Sequence, residues 1–343
     1  MKKPRSVGRI ASAALVAVVA AVLPATVAAQ AKRVLELRAG TSTPKGDFLA
    51  DGVDHYAEVV NRLSNGEIRI RVFYQSLGVE QQLAQAVMSG SVDIGTMSSG
   101  NTGRFSSAFF VYDLPFMFKR YENLLPLLDG PIGKQLAQQA EKDMGVKYLY
   151  HMSYGLGRDI QTTKKPLRIP KDLEGVKIRV LSTPIDLATF KAWGANPTPI
   201  DWTQTFASLQ QGVVEGEQIS LSTIYGAKHY EVVKYNVRLD YQASFQTLFI
   251  NARKFALLTP AQQKILMDAA QETKLWQHKD AADRAEITRQ ELVSKHGMQI
   301  YTPTPQEYAQ WAVIRERVWK QVASEQGGKF SIDLANKIYA QQN

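Results

Sequence analysis

From Ala261 to His296 the chain runs for 36 residues without a glycine or a proline, and Gly297 ends the run. Thr259, Pro260 and Gln262 spell a helix start just ahead of it. Thr259 can cap, Pro260 suits the first helical position, and Gln262 completes a capping box. At the α-helical rise such a run spans roughly 54 Å. That is longer than one small domain, so this helix is expected to brace two bodies.

The segments before it show what those bodies are made of. "RVLELRAG" (Arg33 to Gly40) reads as a strand that ends in the polar loop "TSTPKG". Asp47 to Leu63 reads as a helix closed by Ser64, Asn65 and Gly66. "EIRIRVFY" alternates as a strand, "GVEQQLAQAVMSG" is a helix stopped by Gly90, and "SVDIGTM" is a third strand. Strand, helix, strand, helix, strand is the pattern of a parallel α/β sheet. Such sheets take ligands beyond the carboxyl ends of their strands. That geometry places Thr41, Ser42, Ser98, Ser99 and Asn101 near one rim. A second α/β stretch begins around Gly155. It has a strand in "GVKIRV", a helix in "DLATFKAWG", a short strand in "NPTPI", a helix in "DWTQTFASLQQG" and a helical "LSTIYGAKHY". "FQTLFIN" (Phe245 to Asn251) is again an apolar strand. After the long helix, further helices are expected around Pro305 to Glu325 and Ser331 to Gln341.

The N-terminus addresses the chain. Lys2, Lys3, Arg5 and Arg9 precede the uncharged "IASAALVAVVAAVLPATV", and small residues then offer cleavage after Ala29 or Ala31. This is the order of a secretory signal; an uncleaved anchor is the competing reading, and Pro24 with the alanines after it favours cleavage. Export implies a periplasmic protein of about 310 residues. Losing four basic residues leaves 37 against 32 acidic ones, a net charge of +5 in place of +9. That excess is too small and too scattered for nucleic acid. Cysteine is absent, so the exported chain must hold together by core burial alone.

Catalytic and cofactor signatures are missing. His55, His151, His229, His278 and His296 form no pair at zinc spacing, and no phosphate-binding loop is present. "YGLGRDI" lacks the third glycine of a dinucleotide loop, and "GTMSSG" is one residue too long for a nucleophile elbow. Neither a metal nor a cofactor is expected. An exported two-bodied α/β protein without such signatures points to ligand capture in a cleft. In "GVKIRV" the strand alternation puts Arg179 opposite Val176, Ile178 and Val180, just before "STP" opens a helix. An arginine there is either a solvated strand residue or an anion clamp.

The order "GRDIQTTKKPLRIPKDLEGVKIRVLSTP…WGANPTPIDWTQTFASLQQGVVEGEQ", preceded by "AQAVMSGSVDIGTMSSG" and "FVYDLPFMFKRYEN", resembles the solute-binding proteins of tripartite ATP-independent periplasmic (TRAP) transporters, the DctP family. The resemblance covers nearly the whole chain beyond the leader. It implies an α/β, two-lobed periplasmic binding protein fold, type II-like, with crossing hinge strands and a long lobe-bridging helix. Residues 1–31 would be the signal peptide, 32–155 with 245–283 lobe I, and 156–244 with 284–343 lobe II. It also implies a monomer that captures an organic acid and hands it to small and large membrane subunits. Arg179 occupies the position of the family's carboxylate clamp, Arg158 that of a second arginine, and Trp202 that of an aromatic flanking the ligand. Tyr241 and Gln218 match pocket positions more loosely; Ser98, Ser99 and Glu80 rest on strand-end geometry. The chain departs from the polar-ligand members at Ile219, Gln204 and Phe206, which points to a keto, hydroxy, aromatic or C4-dicarboxylic acid and away from sugars such as sialic acid. An ABC importer or a sensor kinase would use the same fold with another partner. A secreted hydrolase or lyase would need a nucleophile–base pair at the cleft.

Overall fold

Eleven strands sort into two sheets among the residues described by the computed structural model, which are Met1, 34–325 and 331–342. The expected leader and its cleavage positions at Ala29 and Ala31 lie outside the described residues. In chain order the strands are β1 (Leu35–Thr41), β2 (Ile68–Tyr74), β3 (Ile94–Ser98), β4 (Val146–Ser153), β5 (Arg158–Thr162), β6 (Lys177–Val180), β7 (Asn196–Pro199), β8 (Gly216–Ile219), β9 (Tyr235–Gln242), β10 (Phe245–Asn251) and β11 (Gln299–Tyr301). The first sheet has the order β2-β1-β3-β10-β4 and the second β11-β9-β5-β8-β6-β7.

β1 pairs in parallel with β2 and β3, as the strand–helix alternation predicts. The sheet is nevertheless mixed, not purely parallel: β10 returns late in the chain and runs antiparallel between β3 and β4. In the second sheet β6 is parallel to β7 and β8, while β5 is antiparallel to β8 and β9. The chain leaves the first sheet between β4 and β5 and comes back between β9 and β10. Ala243 and Ser244 make the return, both buried.

Local chemistry sets the helix ends. Asp47 caps the helix Phe48–Leu63, its Oδ1 accepting from the Leu49 amide at 2.9 Å. Gly90 stops the helix Glu80–Ser89 in the left-handed conformation. The long helix runs from Pro260 to Ser294, with the capping box between Thr259 and Gln262 formed as expected. Two expected helices are broken. "LSTIYGAKHY" divides into the helix Leu221–Gly226 and a 3₁₀ turn at His229–Glu231. The stretch after Pro305 divides into Pro305–Ala312 and Arg315–Glu325.

The main core runs through both sheets, from Leu37, Ile94 and Phe249 to Ile160, Ile178 and Val237, and takes in the aromatic run Phe109–Phe118, which is buried without being helix or strand. A smaller cluster of Leu209, Val214, Ile219, Leu221, Ile224, Val233, Leu292 and Met298 lies under the second sheet. Among the described residues no helix is long and apolar enough to cross a membrane.

Candidate functional site

A cavity opens where the carboxyl ends of β1, β3, β6 and β8 face one another. Ser42 and Thr43 follow β1, Ser98 ends β3, Arg179 and Leu181 come from β6 and its exit, and Ile219 ends β8. Arg158 at the start of β5 and Trp202 at the start of a helix complete the second-sheet side. The space between the walls is about 400 Å³, counted out through the mouth into solvent.

Arg179 is 1% exposed. Its Nε donates to the Ile200 carbonyl at 2.9 Å, while its buried Nη2 has no partner. The guanidinium lies 5.8 Å from the Trp202 ring centre. Burial pulls its pKa down, and the charge of Glu217 opposes that. Glu217 is the register neighbour of Arg179 on β8, but its Oε1 accepts from His229 Nδ1 at 2.8 Å. His229 in turn stacks on Trp202, with ring centres 4.6 Å apart. This fixes the indole at the cavity wall.

Arg158 is also buried. Its Nε donates to Ser244 Oγ at 2.6 Å and its Nη1 to Gln218 Oε1 at 2.9 Å. Gln218 is held by the Tyr241 hydroxyl at 2.9 Å and donates to Asp186 Oδ2 at 2.9 Å. Gln218 and Tyr241 therefore do not border the cavity; they stand one layer behind and orient Arg158. Burial pushes the Asp186 carboxyl up, against the pull of Arg158. Among the described residues, neither cavity guanidinium has a carboxylate oxygen within 4 Å.

The opposite wall is organised by Glu80. Its carboxylate accepts from Ser98 Oγ at 2.7 Å, Asn101 Nδ2 at 2.5 Å and Gln246 Nε2 at 3.1 Å. Ser98 thus reaches the cavity, whereas Ser99 turns away and donates to Asp113 Oδ1 at 2.6 Å. Burial pushes the Asp113 carboxyl up to about 7. Ile219 borders the cavity as expected, but Gln204 is exposed and Phe206 lines an outer cleft, against His229.

Leu49, Tyr154, Thr223 and Gln246 border the cavity without having been singled out from sequence. Gln246 carried a signal, as an amide inside an otherwise apolar strand; the others arrive through tertiary packing. The lining contains no histidine, and the described residues hold no cluster of three metal-ligating side chains. Two desolvated cations facing hydroxyls and an apolar flank can hold an anion.

Known proteins share this architecture. The profile of "Bacterial extracellular solute-binding protein, family 7" (DctP) matches residues 39–326. The 2,3-diketo-L-gulonate-binding periplasmic protein YiaO of Escherichia coli is 29% identical over 72% of this chain and 75% of its own. A TRAP periplasmic solute-binding protein from Sulfurospirillum deleyianum with bound succinate superposes with a TM-score of 0.83 at 25% identity, over 89% of this chain and 98% of its own. Another, from Polaromonas and bound to D-erythronate, gives 0.82 at 25% identity, also over 89% and 98%.

Proposed function

This chain belongs to bacterial extracellular solute-binding protein family 7, the DctP family, and on that premise we propose that its cavity seats the carboxylate of a small organic acid on Arg179. It is a solute-binding protein of the TRAP type and not an enzyme. One observation carries the proposal: a fully buried guanidinium whose Nη2 has no partner borders a cavity between the two sheets. A planar pair of donors matches a carboxylate, and the desolvated setting makes the charge-assisted bonds strong. Arg158, steadied by Gln218 and Tyr241, is the second donor. Trp202, Leu181 and Ile219 receive the body of the acid, while Glu80 with Ser98 fixes the polar wall. The acid is a keto, hydroxy, aromatic or C4-dicarboxylic acid. The relatives' ligands, 2,3-diketo-L-gulonate, succinate and D-erythronate, differ in body and share the carboxylate.

The same reading assigns residues 1–31 to a signal peptide cleaved near Ala29 or Ala31. Residues 32–155 with 245–283 form lobe I, and 156–244 with 284–343 lobe II. The mature monomer works in the periplasm and delivers the acid to a small and a large TRAP membrane subunit.

A thermal-shift screen tests the carboxylate assignment, because a ligand that binds the folded state raises the melting temperature by mass action. The panel is succinate, D-erythronate, 2-oxobutyrate and benzoate, each beside its methyl ester. At least one free acid is expected to stabilise the protein while its ester does not. Equal stabilisation by an acid and its ester, or none by any acid, overturns the proposal.

A further inference from the structure

Asp47 and Gly226 meet beside the cavity without belonging to its lining. Asp47 caps the helix of the first-sheet half whose second residue, Leu49, borders the cavity. Gly226 ends the short second-sheet helix that supplies Thr223 to the opposite wall. Between them the fit is tight. A methyl group on Gly226 would lie 2.4 Å from Asp47 Oδ2 and 3.2 Å from its Cγ. Real carbon–oxygen contacts do not fall that low. Asp47 is 1% exposed, and its Oδ2 is buried with no hydrogen-bond partner.

Open clefts flank this contact. On one side lies an open cleft of about 890 Å³ bordered by Gly46, Phe48, Gly226 and Arg284. On the other lies one of about 850 Å³ bordered by Pro44, Lys45, Gly226 and Lys228. Beside residues 47 and 226 there is open space on both flanks; across the cavity the halves also approach at Gly100, where a Cβ would lie 2.8 Å from Leu181 Cδ1. Gly226 has an ordinary right-handed backbone, since it is absent from the positive-φ positions. Glycine is therefore not needed there for its conformation.

We infer that Asp47 and Gly226 form the closing seam of the cleft, so that residue 226 must be glycine for the halves to meet around a bound acid. The inference rests on the proposed function only in taking the cavity as the ligand site. A side chain at 226 holds the seam open, and the apparent affinity falls by the lost fraction of closed molecules. The folding of each half is untouched.

The test uses Gly226→Ala, Asp47→Ser and the double variant, with succinate and D-erythronate as probes in calorimetry. Serine keeps the helix cap but removes the carboxylate oxygen that meets the new methyl. Gly226→Ala is expected to bind about tenfold or more weakly. The double variant is expected to recover most of the affinity. Unchanged affinity in Gly226→Ala, or a double variant no better than Gly226→Ala, overturns the seam. A second arm needs no ligand. The chain has no cysteine, and a Cβ at 226 would lie 3.2 Å from Asp47 Cγ, so side chains at the two positions meet. Asp47→Cys/Gly226→Cys is expected to oxidise to an intramolecular disulfide, and a pair that stays reduced under oxidant counts against the seam. Wild-type protein that ignores every acid while the cysteine pair closes leaves the seam standing and removes the ligand assignment.

Discussion

Arg179→Met separates what the guanidinium does for the ligand from what it costs the protein. Methionine keeps an unbranched stem of similar reach and deletes the charge. In the liganded state the variant loses a desolvated charge pair, worth about 3–5 kcal/mol when one partner is removed. That corresponds to a Kd raised by about two to three orders of magnitude. In the ligand-free state the balance has the opposite sign. Wild-type protein buries a cation whose Nη2 is unpartnered, and an unsatisfied buried group costs about 1–3 kcal/mol, more when charged. Methionine removes that cost but strands the Ile200 carbonyl, which now accepts from Nε and is worth about 1 kcal/mol. The net expectation is a gain of about 1–2 kcal/mol, a rise of about 2–4 °C per kcal/mol in melting temperature. Titration calorimetry with the acid selected by thermal shift reads the first effect, and scanning calorimetry without ligand reads the second. Affinity within about threefold of wild type, well under 1 kcal/mol, refutes the clamp. A lower ligand-free melting temperature refutes the claim that the charge is held at a cost.

Three further outcomes are expected. Ile219→Asn should narrow the gap in affinity between plain and polyhydroxylated acids, because an amide at the wall gives a buried hydroxyl a partner worth about 1–3 kcal/mol; parallel titrations with 2-oxobutyrate and D-erythronate check it, and an unchanged ratio counts against the pocket reading. Burial raises Asp47 and Asp113 to about 7 from 3.8, so the folded state holds extra protons in that window and loses stability as pH rises through it. Burial lowers His151 to about 4, a contribution present above its unfolded pKa of 6.5 and lost only as pH falls below it. The ligand-free melting temperature should therefore be higher at pH 6.5 than at pH 8, and a flat or rising profile counts against it. Gly155→Ala should destabilise the fold by a few kcal/mol, since Gly155 has φ of 74° and a Cβ there would lie 2.3 Å from the Ala281 carbonyl of the long helix; chemical denaturation reads it, and a loss under about 0.5 kcal/mol would be the wrong result.

The parts of the fold that were legible are those whose pattern is local. The long helix begins at Pro260 and stops two residues short of His296, because its cap and its freedom from glycine and proline are written in consecutive residues. β1, β2 and β3 follow from alternation and turn residues. β5 did not show itself: "RDIQT" looks like a polar loop, yet all five residues are buried in the middle of the second sheet. Its polar groups are satisfied from distant strands. Gln161 donates to Asn236, and Asp159 accepts from the Asn236 side chain and the Leu239 amide. No local period announces a strand of that kind. β4 was hidden for another reason: Val146–Ser153 mixes apolar, aromatic and polar residues without a period of two and is buried at most positions. At the site, the strand-end residues Ser98 and Arg179 were readable, whereas the set-back positions of Gln218 and Tyr241 depend on register between β5, β8 and β9.

The place of β10 in the first sheet bears on how the chain comes to be folded at all. β3 and β4 do not pair with each other; both pair with β10, which is made roughly 150 residues after β3. Until Asn251 is available, β4 has no partner in that sheet and β3 offers a bare edge. The first sheet is thus unable to complete itself early, and its completion joins segments far apart in the chain, the kind of pairing that slows folding. For a member of a periplasmic family such delay is useful. A nascent chain whose earliest sheet lacks an interior strand stays threadable until nearly three quarters of it has been synthesised, and that sheet is complete only once the late strand slots in.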